Sequence, residues 1–346
     1  MSIFITVALI FLVLMIVYQI AQASEYAAAL RSDAKKREFS TNRTMAGLLV
    51  AFFLLGLYGV WTCHHSLMNK MLPESASVEG EAYDKMFVVT VVVTGIVFLI
   101  THILLFWFAF RYKAKENRTS YFLAHNNKLE VIWTTIPAIV MAILVAIGLR
   151  NWMNITSPAP AEANVVEIVG KQFNWLIRYP GKDKVMGKRN FRNINDATNV
   201  LGMDHNDPAN ADDIVAQNGE MHLVVGKPVK LIIGSRDVIH DVGLAHFRLK
   251  MDAVPGITTT MWFTPKITSA RMKEITHNPN FVYEISCDQM CGKGHYSMRG
   301  TIIVETQEEY DKWLAEQTPY FAPAAPAADS TKKAPAADST KAITMK

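Results

Sequence analysis

Four stretches of the chain contain no Asp, Glu, Lys or Arg: residues 3–21, 45–61, 86–110 and 131–149. Each is near or above the roughly 18 to 20 apolar residues a helix needs to cross a hydrocarbon core. The pattern predicts four transmembrane helices within the first 150 residues, in preference to buried helices of a large soluble protein. The first run has no Lys or Arg before it and no small-residue cleavage pattern after it. It reads as a retained helix and not a signal peptide.

From about residue 160 the texture changes to short β-like runs bounded by turn residues. They are NVVEIVG (164–170), FNWLIRY (173–179), MHLVVG (221–226), PVKLIIGS (228–235), TTTMWFT (258–264), FVYEIS (281–286) and GTIIVET (300–306). Strands at this spacing predict an antiparallel sandwich or barrel. The Gly/Asp/Asn-rich stretch between 180 and 220 breaks the pattern and reads as a long, solvated surface insertion. Its acidic cluster lacks the Asp spacing of an EF-hand loop. TQEEYDKWLAEQ (306–317) opens with a Thr306–Glu309 capping box and predicts one helix. APAADSTK then occurs twice, at 325–332 and 334–341, a composition that predicts a disordered tail over 319–346. The predicted organisation is a helix pair over 1–62, a transmembrane hairpin over 63–150, and a β domain over 160–318.

Charge sets the orientation. Arg31, Lys35, Lys36, Arg37 and Arg43 crowd the first loop, and Arg111, Lys113, Lys115, Arg118 and Lys128 the third. The loop between has Lys70 and Lys85 against Glu74, Glu79, Glu81 and Asp84. By the positive-inside rule the basic loops face the cytoplasm and everything after Arg150 lies outside. The net charge of +4 sits largely in these loops and gives no reason to invoke nucleic acid.

The chemistry concentrates in CDQMCGKGHYSM, residues 287–298. Outside the membrane, Cys287 and Cys291 can form a disulfide. Cys, His and Met together also suit copper, whereas zinc favours Cys and His at closer spacing without a thioether. One cysteine suffices for a mononuclear blue-copper site; a second offers a bridging thiolate and hence a two-copper centre. That centre needs another imidazole, and His222, His240 and His246 all lie in the β domain. Elsewhere, Cys63-His64-His65 follows the second run and offers candidate metal donors, His102 sits inside the third where it would face another helix or a partner subunit, and Asp241 and Asp252 suit either docking of a basic cytochrome or surface or structural roles.

The motifs LEVIWTTIPA, KQFNW, SRDVIH, MDAVPG and CDQMCGKGHYSMRG occur in that order from residue 129 to 300. In this the chain resembles subunit II of the haem–copper cytochrome c oxidases. The resemblance implies a cupredoxin-like Greek-key barrel, anchored by the helices and holding a binuclear copper A centre of two copper ions. Carried over residue by residue, it assigns His240 and His295 as terminal imidazoles and Cys287 and Cys291 as bridging thiolates. Met298 and the backbone carbonyl of Gln289 become the weak ligands. Many relatives carry Glu at the Gln289 position, where it helps bind magnesium at the subunit I boundary; here Gln289 and Asp288 stand as candidates. Many also carry an exposed Trp at the Phe173 position, where electrons arrive from cytochrome c; Trp175 matches a later aromatic. Glu130 matches a carboxylate at the mouth of a proton channel into subunit I.

The implied partners are subunit I, the other oxidase subunits, the lipid bilayer and a cytochrome c, free or as a domain of an associated quinol–cytochrome c reductase. The implied location is the bacterial inner membrane, with the copper domain periplasmic. No haem-attachment CxxCH is present, so no haem is expected in this chain. The alternative is a membrane-anchored copper chaperone, which would have a thioredoxin-like α/β fold and a single anchor helix.

Overall fold

In a computed structural model of the chain, residues 3–30, 34–115 and 117–321 are described. The repeated tail beyond 321 lies outside them. The chain forms two compact units, one of Met1–Leu72 with Lys85–Gly148, the other of Pro73–Asp84 with everything from Leu149 onward. The start of one long helix and the end of another thus belong to the second unit, with the β strands.

The first unit is built from α1 (Ile3–Leu30), α2 (Ala34–Leu67), most of α3 (Val78–Arg111) and most of α4 (Asn127–Thr156). Among the described residues three helices are long and apolar enough to cross a membrane: Glu38–Leu67, Val78–Arg111 and Asn127–Thr156. The first predicted run is also helical, with a shorter apolar portion at Phe11–Ala27. Asn126 starts α4 by accepting a bond from Leu129 N–H, which places Glu130 in the first turn, where the helix dipole favours a carboxylate. His102 Nδ1 donates to the Phe98 carbonyl, and its ring stacks against Phe53 of α2. A neighbouring helix of the same chain thus meets this polar side chain.

The second unit is a sandwich of two five-stranded sheets. One runs β3 (Ile214–Ala216), β2 (Asn174–Tyr179), β1 (Asn164–Lys171), β5 (Val229–Ser235), β8 (Thr259–Phe263). The other runs β4 (Glu220–Val224), β10 (Arg299–Glu305), β9 (Tyr283–Cys287), β6 (His240–Leu244), β7 (Leu249–Ala253). The β1–β5 and β4–β10 pairs are parallel and the rest antiparallel. Alternate residues of β10 (Gly300, Ile302, Val304) are buried, as expected of a strand with one face on the core. Thr306 and Glu309 form the predicted capping box at the head of α6 (Gln307–Glu316). A short helix, α5 (Ser269–Ile275), was not legible in the sequence.

β1 and β2 are buried on both faces, so the 180–220 stretch, exposed over much of its length, also packs part of itself on the sheet instead of lying wholly in solvent. Val166, Ile168, Trp175 and Ile177 face the main core. Val169 and Leu176 face outward, onto a second small core with Val200, Leu201 and Met203 from the insertion. Beside them Arg178 is fully buried and donates to Glu167 (3.0 Å), Asn210 Oδ1 (2.6 Å), the Gly187 carbonyl (2.7 Å) and Asp213. Arg189 pairs with the other Glu167 oxygen at 2.7 Å. Asp213 of the insertion and Glu167 of β1 thus neutralise one buried guanidinium, and Asn210 and the Gly187 carbonyl accept its remaining N–H groups, as a buried charge requires.

Candidate metal centre

Strand β6 was not predicted, because its sequence HDVGL alternates no apolar residues with polar ones; nevertheless all five positions are buried. It places His240 at the strand head, against Cys287 at the end of the neighbouring β9. The loop after Cys287 curls over the same spot and enters β10 at Arg299. Register does what spacing along the chain cannot: it brings residue 240 to residue 287.

The donor atoms converge. His240 Nδ1 lies 3.7 Å from Cys287 Sγ, and the two sulfurs are 3.7 Å apart. Cys291 Sγ lies 3.8 Å from both His295 Nδ1 and Met298 Sδ. The Gln289 carbonyl oxygen is 3.2 Å from Cys287 Sγ while the residue itself is exposed. Both cysteines are free thiols, so they are not tied up in a disulfide. Among the described residues His240, Cys287 and Cys291 are the one group whose His, Cys and carboxylate donors cluster at metal-holding spacing, all within 4.8 Å. Soft sulfur and imidazole donors in a buried pocket fit copper better than a hard cation. Burial, and then the neighbouring Cys287 sulfur, push the Cys291 thiol up to about 11.

Residues not singled out in the sequence hold this set in place. Asp237 Oδ1 is 2.8 Å from His240 Nε2, so that nitrogen carries the proton and Nδ1 is left free to ligate. Burial alone would raise Asp237, but bonds from Gln172 N–H, His240 and Val238 N–H outweigh it and hold the carboxyl below the usual range. The Gly170 backbone lies against the imidazole; a β-carbon there would be 2.6 Å from His240 Cδ2. The only sequence signal for Asp237 was its place three residues before His240 in SRDVIH.

The other expected residues are scattered more widely. Trp175 is fully buried, edge-on to His240 at 5.9 Å between ring centroids, and presents no surface. Phe173 is half-buried beside the ligand loop. Asp288 accepts from Ser286 Oγ at 2.7 Å. His222 is held between Glu220 and Glu305 and stacked on Trp313, while His246 packs against Phe281 and Tyr283. Asp241 is buried and paired with Lys250, not free on the surface. Burial pushes Asp241 upward despite that lysine. Cys63 is exposed on α2.

Residues 65–150 match the family described as cytochrome c oxidase subunit II, transmembrane domain, and residues 164–307 match the periplasmic domain of the same subunit. An alternative cytochrome c oxidase subunit 2 from Bradyrhizobium diazoefficiens is 37% identical over 229 residues, covering 66% of this chain and 78% of the relative. The chain belongs to the cytochrome c oxidase subunit II family. The cytochrome c oxidase subunit 2 of Thermostichus vulcanus is 26% identical over 334 residues, covering 81% and 88% of the two chains. A crystal structure of the periplasmic domain of subunit II from Bradyrhizobium japonicum is 21% identical, with a TM-score of 0.31 over 45% of this chain and 94% of that one.

As an oxidase subunit II, the protein is a membrane-anchored part of an oxidoreductase that associates with other oxidase subunits. The family implies a copper centre in the β domain, and the donors gathered here suit one. The outer unit is a β-sandwich, unlike the thioredoxin-like fold that the chaperone alternative required. Both matches begin after the first 64 residues, so α1 and almost all of α2 precede them.

Proposed function

We propose that this subunit receives electrons from a cytochrome c at a two-copper centre held by His240, Cys287, Gln289, Cys291, His295 and Met298, and passes them to haem in subunit I. The convergence of two thiols, two Nδ1 atoms, a thioether and a carbonyl carries the reading. Copper held by these residues would supply the one-electron couple. The chain offers two sulfurs 3.7 Å apart that would hold the pair, a tautomer fixed by Asp237, and a rigid sandwich that limits movement of the donors as charge changes. Phe173, at the surface beside the loop, is where electrons would arrive; buried Trp175 packs behind His240 and would couple only through the interior.

Glu130, exposed in the first turn of α4, takes up protons from the cytoplasmic side for subunit I, consistent with the charge of its flanking loop. The copper unit is periplasmic and the helices span the inner membrane of a bacterium. The Gln289 side chain, a neutral amide, is a poor magnesium ligand, so any magnesium at the subunit boundary would fall to Asp288.

The test is metal content and EPR of the purified membrane complex. A mixed-valence pair with one electron shared over two nuclei is expected, and Cys291→Ser should abolish it. A single localised Cu(II), or a pair signal that survives Cys291→Ser, would overturn the ligand assignment.

A further inference from the structure

The segment between Gln289 and Gly294 belongs to no strand or helix, yet it carries one of the two thiols. The loop's own backbone bonds cluster at its ends. Asp288 N–H donates to the Asp241 carbonyl, and Met298 N–H, Ser297 N–H and His295 N–H donate to the His295, Gly294 and Gly292 carbonyls. What fixes the middle comes from elsewhere: Gln172 Nε2 donates to the Cys291 carbonyl at 2.6 Å.

Gln172 is itself anchored. Its backbone N–H donates to Asp237 Oδ2 at 2.7 Å, and the other oxygen of that carboxylate holds His240 Nε2 at 2.8 Å. A continuous path of hydrogen bonds therefore runs from one imidazole, through Asp237 and Gln172, to the backbone of Cys291. Next along the chain, the Phe173 ring lies on the loop's two glycines. A β-carbon on Gly294 would be 2.6 Å from Phe173 Cδ2, and one on Gly292 would be 3.0 Å from both Gln172 Nε2 and Phe173 Cζ. Gly292 also has φ +134, a conformation that disfavours any side chain. The loop can lie this close to the β1–β2 turn only because those positions are glycine.

We propose that Gln172 is a positioning residue that sets the Cys291 thiol relative to His240 before metal arrives, with Phe173 pressed on Gly292 and Gly294 as the second half of the brace. This rests on the copper reading above for its purpose, though not for its geometry. The same turn that faces an incoming electron donor thus also fixes the distance between ligands, which keeps rearrangement small when the centre changes charge. A hydrogen bond that orients a ligand typically accounts for about 10- to 100-fold in metal affinity.

The experiment uses the full-length chain in detergent with Gln172→Met, which keeps the length of the side chain and loses its donor, and Gln172→Lys, which restores a donor. Amide exchange of residues 290–295 is measured without metal; copper release to a chelator and the copper EPR hyperfine pattern are measured with it. Gln172→Met should speed loop exchange and copper release at least tenfold and alter the hyperfine pattern. Gln172→Lys should return all three toward the wild-type values. Exchange and spectrum within twofold of wild type in Gln172→Met would overturn the brace, as would Gln172→Lys matching Gln172→Met. If wild type binds no copper pair the functional reading fails, while the metal-free exchange still decides the brace.

Discussion

Replacing Gly170 by Ala should weaken copper binding without touching any ligand. Gly170 lies in the interior of β1, paired with Trp175 on one side and Ser235 on the other, so its backbone cannot retreat without breaking two ladders. The added methyl would sit 2.6 Å from His240 Cδ2 and 2.9 Å from Cγ, where ordinary contact begins near 3.4 Å. The ring must therefore move by 3.4 − 2.6, about 0.8 Å, a displacement at the scale where overpacking costs about 1–3 kcal/mol. It has little freedom to do so, since Trp175 stands edge-on behind it and Asp237 holds Nε2. Should that penalty fall on the copper-bound state, affinity drops about 5- to 150-fold. Chelator competition on the full-length protein reads this directly, with EPR reporting the change at His240. Gly234→Ala is the control, because its β-carbon would meet only Arg189 Nη2 at 3.6 Å. If Gly170→Ala binds copper within twofold of wild type with an unchanged spectrum, His240 is not held by contact with β1 and the reasoning fails.

Arg178→Met leaves the carboxylate of Asp213 buried without its cation and strips Glu167 of one of two partners. Breaking such a pair costs about 3–5 kcal/mol, so a lower thermal midpoint and protease cleavage within 180–213 are expected; an unchanged midpoint would show that the insertion is held by its small core alone. Asp237→Asn should lower copper affinity about 10- to 100-fold through loss of the carboxylate–imidazole bond. Because the Asp237 carboxyl is held below its usual range, its support is present at higher pH and is lost only as pH falls below the ordinary Asp value of about 3.9. A copper spectrum that already changes in step with an ordinary Asp would contradict this. Glu130→Gln should slow oxygen reduction by the assembled oxidase with copper content unchanged, and normal turnover would remove Glu130 from the proton path.

The sequence by itself determined the class of molecule. Uninterrupted apolar runs leave a helix no solvent but lipid, and seven short β-branched and aromatic runs bounded by turn residues point to a sheet structure. Cys287, Cys291, His295 and Met298 were legible as a group because twelve residues of one loop cannot move far apart. Tertiary structure decided what periodicity could not express. Strands β6 and β7 mix His, Asp and Lys with short apolar residues, so they look like loop until β6 pairs with β9 and β7 with β6. The insertion looked solvated because its charges were counted singly, whereas folding places Asp213 and Asn210 around one buried arginine. The supporting residues Gly170, Gln172 and Asp237 lie 50 or more residues from Cys287 and carry no pattern of their own. Register places Gly170 against His240, and the chain just past β1 and β5 carries Gln172 and Asp237 to within hydrogen-bonding distance of Cys291 and His240; such proximity is a property of the folded sheets alone.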